Sequence, residues 1–212
     1  MPHAFPKDFR VLSIIEAAGW PIWFILATSV AALAIIIERF WSLRTPLVAP
    51  RELLSETIRE YQAKGVTQDL LTKLHQGPLI GRIFAAALAN ENSPREVIKD
   101  SVEDAGRAVA LELERFLNTL GTIATVSTLL GLFGTIVGMI EIFGSQTPAG
   151  GNPAQLAHGI SVALYNTLFG IGVAIPAVIF YRHFRNRVDV LVVEMESQAI
   201  RLIEILRGER KA

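Results

Sequence analysis

Leu129-Leu130-Gly131-Leu132-Phe133-Gly134-Thr135-Ile136-Val137-Gly138-Met139-Ile140 closes a stretch, between Arg115 and Glu141, that contains no charged residue. A helix needs about 20 predominantly apolar residues to cross the hydrocarbon core of a bilayer, and this stretch supplies them. Two more stretches qualify. Glu16 to Glu38 encloses an uncharged run with Trp20 and Trp23 at one end and Trp41 just beyond the other, a pattern of interfacial anchors. Glu141 to Arg182 is too long for one helix, but Gly144-Ser145-Gln146-Thr147-Pro148-Ala149-Gly150-Gly151-Asn152-Pro153 is a turn, which leaves a hairpin followed by one span. The composition agrees: 212 residues, 51% hydrophobic, with a mean hydropathy of +0.40, exceed what one soluble core of this size needs to bury.

The fold class expected is therefore all-α, a three-span polytopic membrane protein whose long helices extend into a cytoplasmic helical domain. The expected division is an outer interfacial amphipathic segment at 1–16, span one at 17–41 and a cytoplasmic helical domain at 42–115. Span two at 116–143, a periplasmic hairpin at 144–156, span three at 157–181 and a cytoplasmic helical tail at 182–212 complete it. Span one reads as a retained anchor, because no compact positive segment precedes it and no small-residue cleavage pattern follows. Lysine and arginine set the orientation, since short positive loops stay in the cytoplasm. The 141–157 hairpin has neither, whereas 39–115 carries eleven such residues and 182–212 seven. The N-terminus and hairpin are thus placed in the periplasm, and the tail in the cytoplasm.

Glycine, proline and asparagine divide the first cytoplasmic region into helices at Arg51 to Lys64, Asp69 to Gln76 and Ile80 to Ala89. Ser93-Pro94-Arg95-Glu96 has the form of a capping box, with serine as the cap. No proline follows before the end of span two, so a continuous helix is expected from Pro94 to about Phe143, roughly 75 Å long at 1.5 Å per residue. In the tail, Val188, Val192, Met195, Ala199, Leu202 and Leu206 alternate steps of four and three, a seam for packing within the chain or between subunits.

Several function classes are excluded. A net charge of zero and a pI of about 6.9 give no basic excess for nucleic acid. Cysteine is absent and the four histidines are scattered without ligand spacing, so neither a disulfide nor a metal site is expected. No Ser/His/Asp set, phosphate loop or paired intramembrane carboxylate points to an enzyme. What remains is in the spans. Gly131, Gly134 and Gly138 in span two and Gly170 in span three permit close helix approach, and Thr128, Thr135, Thr167 and Asn166 offer polar groups beside them. These hydroxyls either line a narrow polar seam or satisfy carbonyls of their own helices. Asn166 either coordinates an ion beside Thr167 or bonds a neighbouring helix. Glu38 and Glu141 fall at span ends, where snorkelling or interface pairing is expected, and His158 reads as a hydrated loop residue.

Three segments carry a resemblance across almost the whole chain: Gly19 through Arg39, Leu129 through Ile140, and Gly159 through Gly170 followed by Ala174-Ile175-Pro176-Ala177. The sequence resembles the ExbB/TolQ/MotA family, and overall it is most similar to ExbB-like biopolymer transport proteins. The resemblance implies an inner-membrane subunit of an ion-driven, energy-transducing motor. It implies a homopentamer around a single-span partner of the ExbD/TolR/MotB kind acting in the periplasm, as in TonB-type transport with a TonB-like protein. It implies that a partner aspartate carries the ion past Thr135 and Thr167, with proton or sodium as the coupling ion and no other cofactor. ExbB and TolQ members are similar in carrying a glutamate near the start of span three. That position is Val162 here, which resembles the flagellar-stator branch and leaves a sodium-driven stator-like subunit or a non-conducting scaffold as the alternatives.

Overall fold

A computed structural model describes residues 18–144 and 153–209, so the amphipathic segment expected at 1–16 and most of the hairpin lie outside the described residues. Every described element is a helix: α1 Ile22–Ser42, α2 Thr45–Val48, α3 Arg51–Lys64, α4 Gln68–Gln76, α5 Leu79–Ala89, α6 Arg95–Glu114, α7 Leu117–Gly144 and α8 Pro153–Leu206. Three helical stretches are long and apolar enough to cross a membrane: Ile22–Ser42, one within Arg95–Gly144 and one within Leu156–Leu206. The chain forms two compact units, one from 18–36, 118–144 and 153–181, the other from 37–117 and 182–209.

Beyond the turn at 18–21, the first unit is helical and mostly apolar. Val30, Leu33, Leu129, Ile136, Ile140, Leu164, Leu168 and Ile175 are all more than half exposed on its surface. Such a density of large aliphatic side chains fits lipid or a partner helix rather than water. Small residues turn inward instead, among them Ala32, Ala124, Ala163, Ala174 and Ala177.

The second unit is a helical domain built around Phe84 and Phe184, both fully buried. α4 and α5 are joined at Gly77-Pro78. Thr67 caps α4, its hydroxyl accepting the Leu70 N–H at 3.2 Å, which satisfies one of the free donors at a helix start. Of the seam in the tail of α8, Val188, Met195, Ala199 and Leu202 are buried in this domain and pack within the chain, while Val192 and Leu206 are partly exposed. Arg185 pairs with Glu114 at 3.0 Å, and Arg187 donates to the Thr45 hydroxyl at 2.6 Å.

Two sequence expectations fail here for local reasons. Ser93 does not cap α6: Pro94, at φ −53° and ψ 150°, is the cap residue, and no side chain closes the end. The Ser93 N–H is held in the preceding turn by the Asn90 carbonyl at 2.9 Å. The continuous helix from Pro94 to Phe143 is broken at Arg115-Phe116, where Phe116 adopts φ +67°. A left-handed non-glycine residue costs about 1–2 kcal/mol. The compensation comes from Arg39, whose buried guanidinium donates to the Leu113 carbonyl at 3.1 Å. Hydrogen bonds to charged groups contribute about 1.5–3 kcal/mol, enough to offset the backbone cost.

Gly81, at the start of α5, lies against the Leu74 backbone, where an added Cβ would collide with the Leu74 carbonyl. Because backbone cannot yield as a flexible side chain can, Gly81→Ala is expected to destabilise the protein by about 1–3 kcal/mol. Thermal unfolding followed by circular dichroism in detergent should show a lowered Tm, and an unchanged Tm would show that the α4–α5 turn is looser than described.

Candidate functional site

The polar groups of the first unit gather where α7 meets α8. α7 presents Gly131, Gly134 and Gly138 to α8, and α8 answers with Ala163, Asn166 and Gly170. A Cβ built on Gly170 would stand 2.6 Å from the Ser127 carbonyl oxygen and 2.8 Å from the Gly131 Cα. One built on Gly131 would stand 3.1 Å from the Asn166 carbonyl oxygen, and one on Gly138 3.2 Å from the Ala163 nitrogen. Gly134 accommodates the Asn166 side chain itself. The two backbones are therefore in van der Waals contact over two turns, the packing that small residues make possible in lipid.

Around this seam the hydroxyls are arranged in two ways. Ser127 is fully buried and donates to the Thr28 hydroxyl of α1 at 3.1 Å, and Thr28 donates in turn to the Ile25 carbonyl at 2.8 Å. This link ties α7 to α1. Thr128 donates to the Ala124 carbonyl at 3.2 Å and Thr135 to the Leu132 carbonyl at 2.6 Å. Both are satisfied on their own helix, yet Thr128 is exposed and Thr135 partly so, which leaves their oxygens as acceptors for an incoming group. A shallow depression beside Thr135 is lined by Ile136, Met139, Ile140, Phe143 and Gly144. Thr167 of α8 reaches the Gly131 carbonyl at 3.5 Å, which brings it to α7 between the levels of Thr128 and Thr135.

Asn166 is placed differently from these threonines. It is fully buried, and its amide nitrogen donates to the Ala18 carbonyl at 2.7 Å and the Val162 carbonyl at 3.1 Å. Its Oδ1 has no partner among the described residues. The side chain thus fastens the turn entering α1 to α8. Val162 is buried one turn earlier, its Cγ1 facing Gly19, which holds φ +74° in that same turn. Glu38 pairs with Arg39, Nη2 to Oε1 at 2.7 Å, and Glu141 is exposed at the far end of α7. His158 is exposed but lies on α8 rather than in a loop. Thr28 and the Ala18 carbonyl went unnoticed in the sequence. The hydroxyl pair Thr28-Ser29 in span one was the available signal for Thr28, while a backbone acceptor leaves none. Among the described residues no cluster of His, Asp and Glu could hold a metal.

Gly170→Ala is expected to cost about 1–3 kcal/mol, because its methyl group meets the α7 backbone at Ser127 and Gly131. Asn166→Leu is expected to cost a similar amount by leaving the buried Ala18 carbonyl without a donor. Thermal unfolding in lipid nanodiscs measures both, and a Tm unchanged in either variant would contradict the corresponding contact.

Residues 75–197, more than half of the chain, match the model of the MotA/TolQ/ExbB proton channel family. The chain is 34% identical to the ExbB-like 3 biopolymer transport protein of Synechocystis sp. over 169 residues, covering 76% of this chain and 79% of the relative. It is 29% identical to the biopolymer transport protein exbB1 of Vibrio cholerae, covering 76% of this chain and 71% of that protein. It is 35% identical to the Tol-Pal system protein TolQ of Haemophilus influenzae, over 48% of this chain and 46% of TolQ. A three-span helical chain with a glycine seam between its second and third spans, matched in this way, belongs to the MotA/TolQ/ExbB proton channel family.

Proposed function

We propose that this chain is the multi-span subunit of an ion-driven, energy-transducing complex of the bacterial inner membrane. In this reading it forms a homopentamer around a single-span partner of the ExbD/TolR/MotB kind, and ion flow moves that partner to do work in the periplasm, as in TonB-type transport. The N-terminus faces the periplasm and the C-terminus the cytoplasm, supported by the concentration of lysine and arginine in 39–115 and 182–212.

The observation that carries the reading is a polar but uncharged membrane interior. No Asp, Glu, Lys or Arg occurs in 18–36, 118–140 or 153–181, while Thr128, Thr135 and Thr167 lie beside the glycine seam with hydroxyl oxygens free to accept. A carboxylate in hydrocarbon is costly unless it pairs or is protonated. With Val162 buried and apolar, the titrating carboxylate comes from the partner, and the hydroxyls stabilise it as it passes. Asn166 holds the seam from behind. Each elementary charge moved through 100 mV releases about 2.3 kcal/mol, enough to drive a movement in small steps.

The test is ion flux in liposomes that hold the chain co-assembled with its single-span partner, first under a proton gradient and then under a sodium gradient. Thr135→Val and Thr167→Val are each expected to reduce flux at least tenfold while the complex remains assembled by size-exclusion chromatography. Normal flux in both variants would remove the threonines from the path. No flux from an assembled wild-type complex under either gradient would favour a non-conducting scaffold, the reading that the buried Val162 supports.

A further inference from the structure

The break between α6 and α7 has no cause in the local sequence. Residues 112–118 read Glu-Leu-Glu-Arg-Phe-Leu-Asn, without glycine or proline, and leucine, glutamate and arginine are good helix formers. Phe116 is nevertheless the only non-glycine residue with positive φ among the described residues. A helix end leaves its last carbonyls without N–H partners, and here the Leu113 carbonyl takes Arg39 Nη1 at 3.1 Å. The rest of the Arg39 guanidinium is also engaged. Nε and Nη2 hold the Glu38 carboxylate, and Cζ lies 5.5 Å from the centre of the Phe116 ring. The Arg115 guanidinium lies 4.8 Å from the same ring. One buried arginine from α1 therefore supplies the hydrogen bond that the broken helix lost and also contacts the residue that breaks it.

We propose that Arg39 is the latch of a two-state joint at Arg115-Phe116. In the broken form Arg39 caps Leu113 and Phe116 is left-handed. In the continuous form Phe116 returns to the right-handed helical region and the Leu117 N–H takes the Leu113 carbonyl, which is the single helix that the sequence by itself favours. The Glu38 carboxylate orients the latch, since a bidentate pair fixes the guanidinium plane. The joint lies at the start of α7, the helix that carries Thr128 and Thr135, and the proposal stands whether or not that helix lines an ion path.

Amide hydrogen exchange read by mass spectrometry on the full chain in lipid nanodiscs separates the two forms. The first N–H groups of α7 lack helical partners in the broken form and gain them in the continuous one. Arg39→Gln is expected to slow exchange at 116–120 at least tenfold by releasing the continuous helix, and Phe116→Ala to slow it in the same direction. Phe116→Gly keeps exchange fast, because glycine accepts positive φ, and it restores fast exchange when combined with Arg39→Gln. A merely structural arginine behaves differently: its loss speeds exchange throughout 95–144, and Phe116→Gly gives no rescue. That result, or unchanged exchange in both Arg39→Gln and Phe116→Ala, overturns the proposal, and Phe116→Ala keeps it testable if Arg39→Gln does not fold.

Discussion

The membrane unit depends on one contact, the approach of α7 and α8 at Gly131 and Gly170 with no side chain between the backbones. In lipid, apolar surface gains nothing by leaving one hydrocarbon environment for another, so helices associate through close packing and hydrogen bonds. Glycine permits both. It lets the Thr167 hydroxyl reach the Gly131 carbonyl, and it opens the space at Gly134 into which Asn166 fits. Once α7 and α8 are fixed in this register, Ser127 is set to bond Thr28 of α1, and Asn166 to hold the Ala18 carbonyl. Each span is thereby tied to another by a polar bond that has no water to compete with it.

The same contact decides which groups are left for chemistry. Burying the glycines leaves Thr128 and Thr135 at the edge of the seam, each already bonded to its own helix and so presenting oxygen rather than an unmet donor. Acceptor oxygens, rather than donors, therefore stand at the edge of the seam. The one carboxylate of the unit among the described residues, Glu141, is exposed at the far end of α7, and Val162 packs toward the Gly19 turn.

Much of this was legible in the sequence because lipid imposes a simple rule. Uncharged stretches of sufficient length must be helices, and the absence of charge between Arg115 and Glu141 and between Glu16 and Glu38 located two of them. Glycine, proline and asparagine likewise marked the ends of α3, α4 and α5. The features that escaped depend on partners distant in sequence. Phe116 is left-handed because an arginine 77 positions earlier caps the helix before it, and nothing near Phe116 signals this. Asn166 stood out as a polar residue in a span, but its partner is the Ala18 carbonyl, which side-chain patterns do not reveal. Ser93 had the capping pattern, yet Pro94 took the cap position with extended ψ. Local signals fixed element type, while side-chain direction followed from tertiary contacts.

The most direct test of the seam is a double-mutant cycle between Gly134→Ala and Asn166→Gly, read as thermal unfolding in lipid nanodiscs. An added methyl at Gly134 collides with the Asn166 side chain from its Cβ outward, and only replacing that side chain by glycine removes the obstacle. Gly134→Ala is expected to cost markedly less in the Asn166→Gly background than in wild type, a coupling of about 1 kcal/mol or more. Additivity within about 0.5 kcal/mol would mean that the two residues do not meet, and would contradict the packing on which the rest of the membrane unit depends.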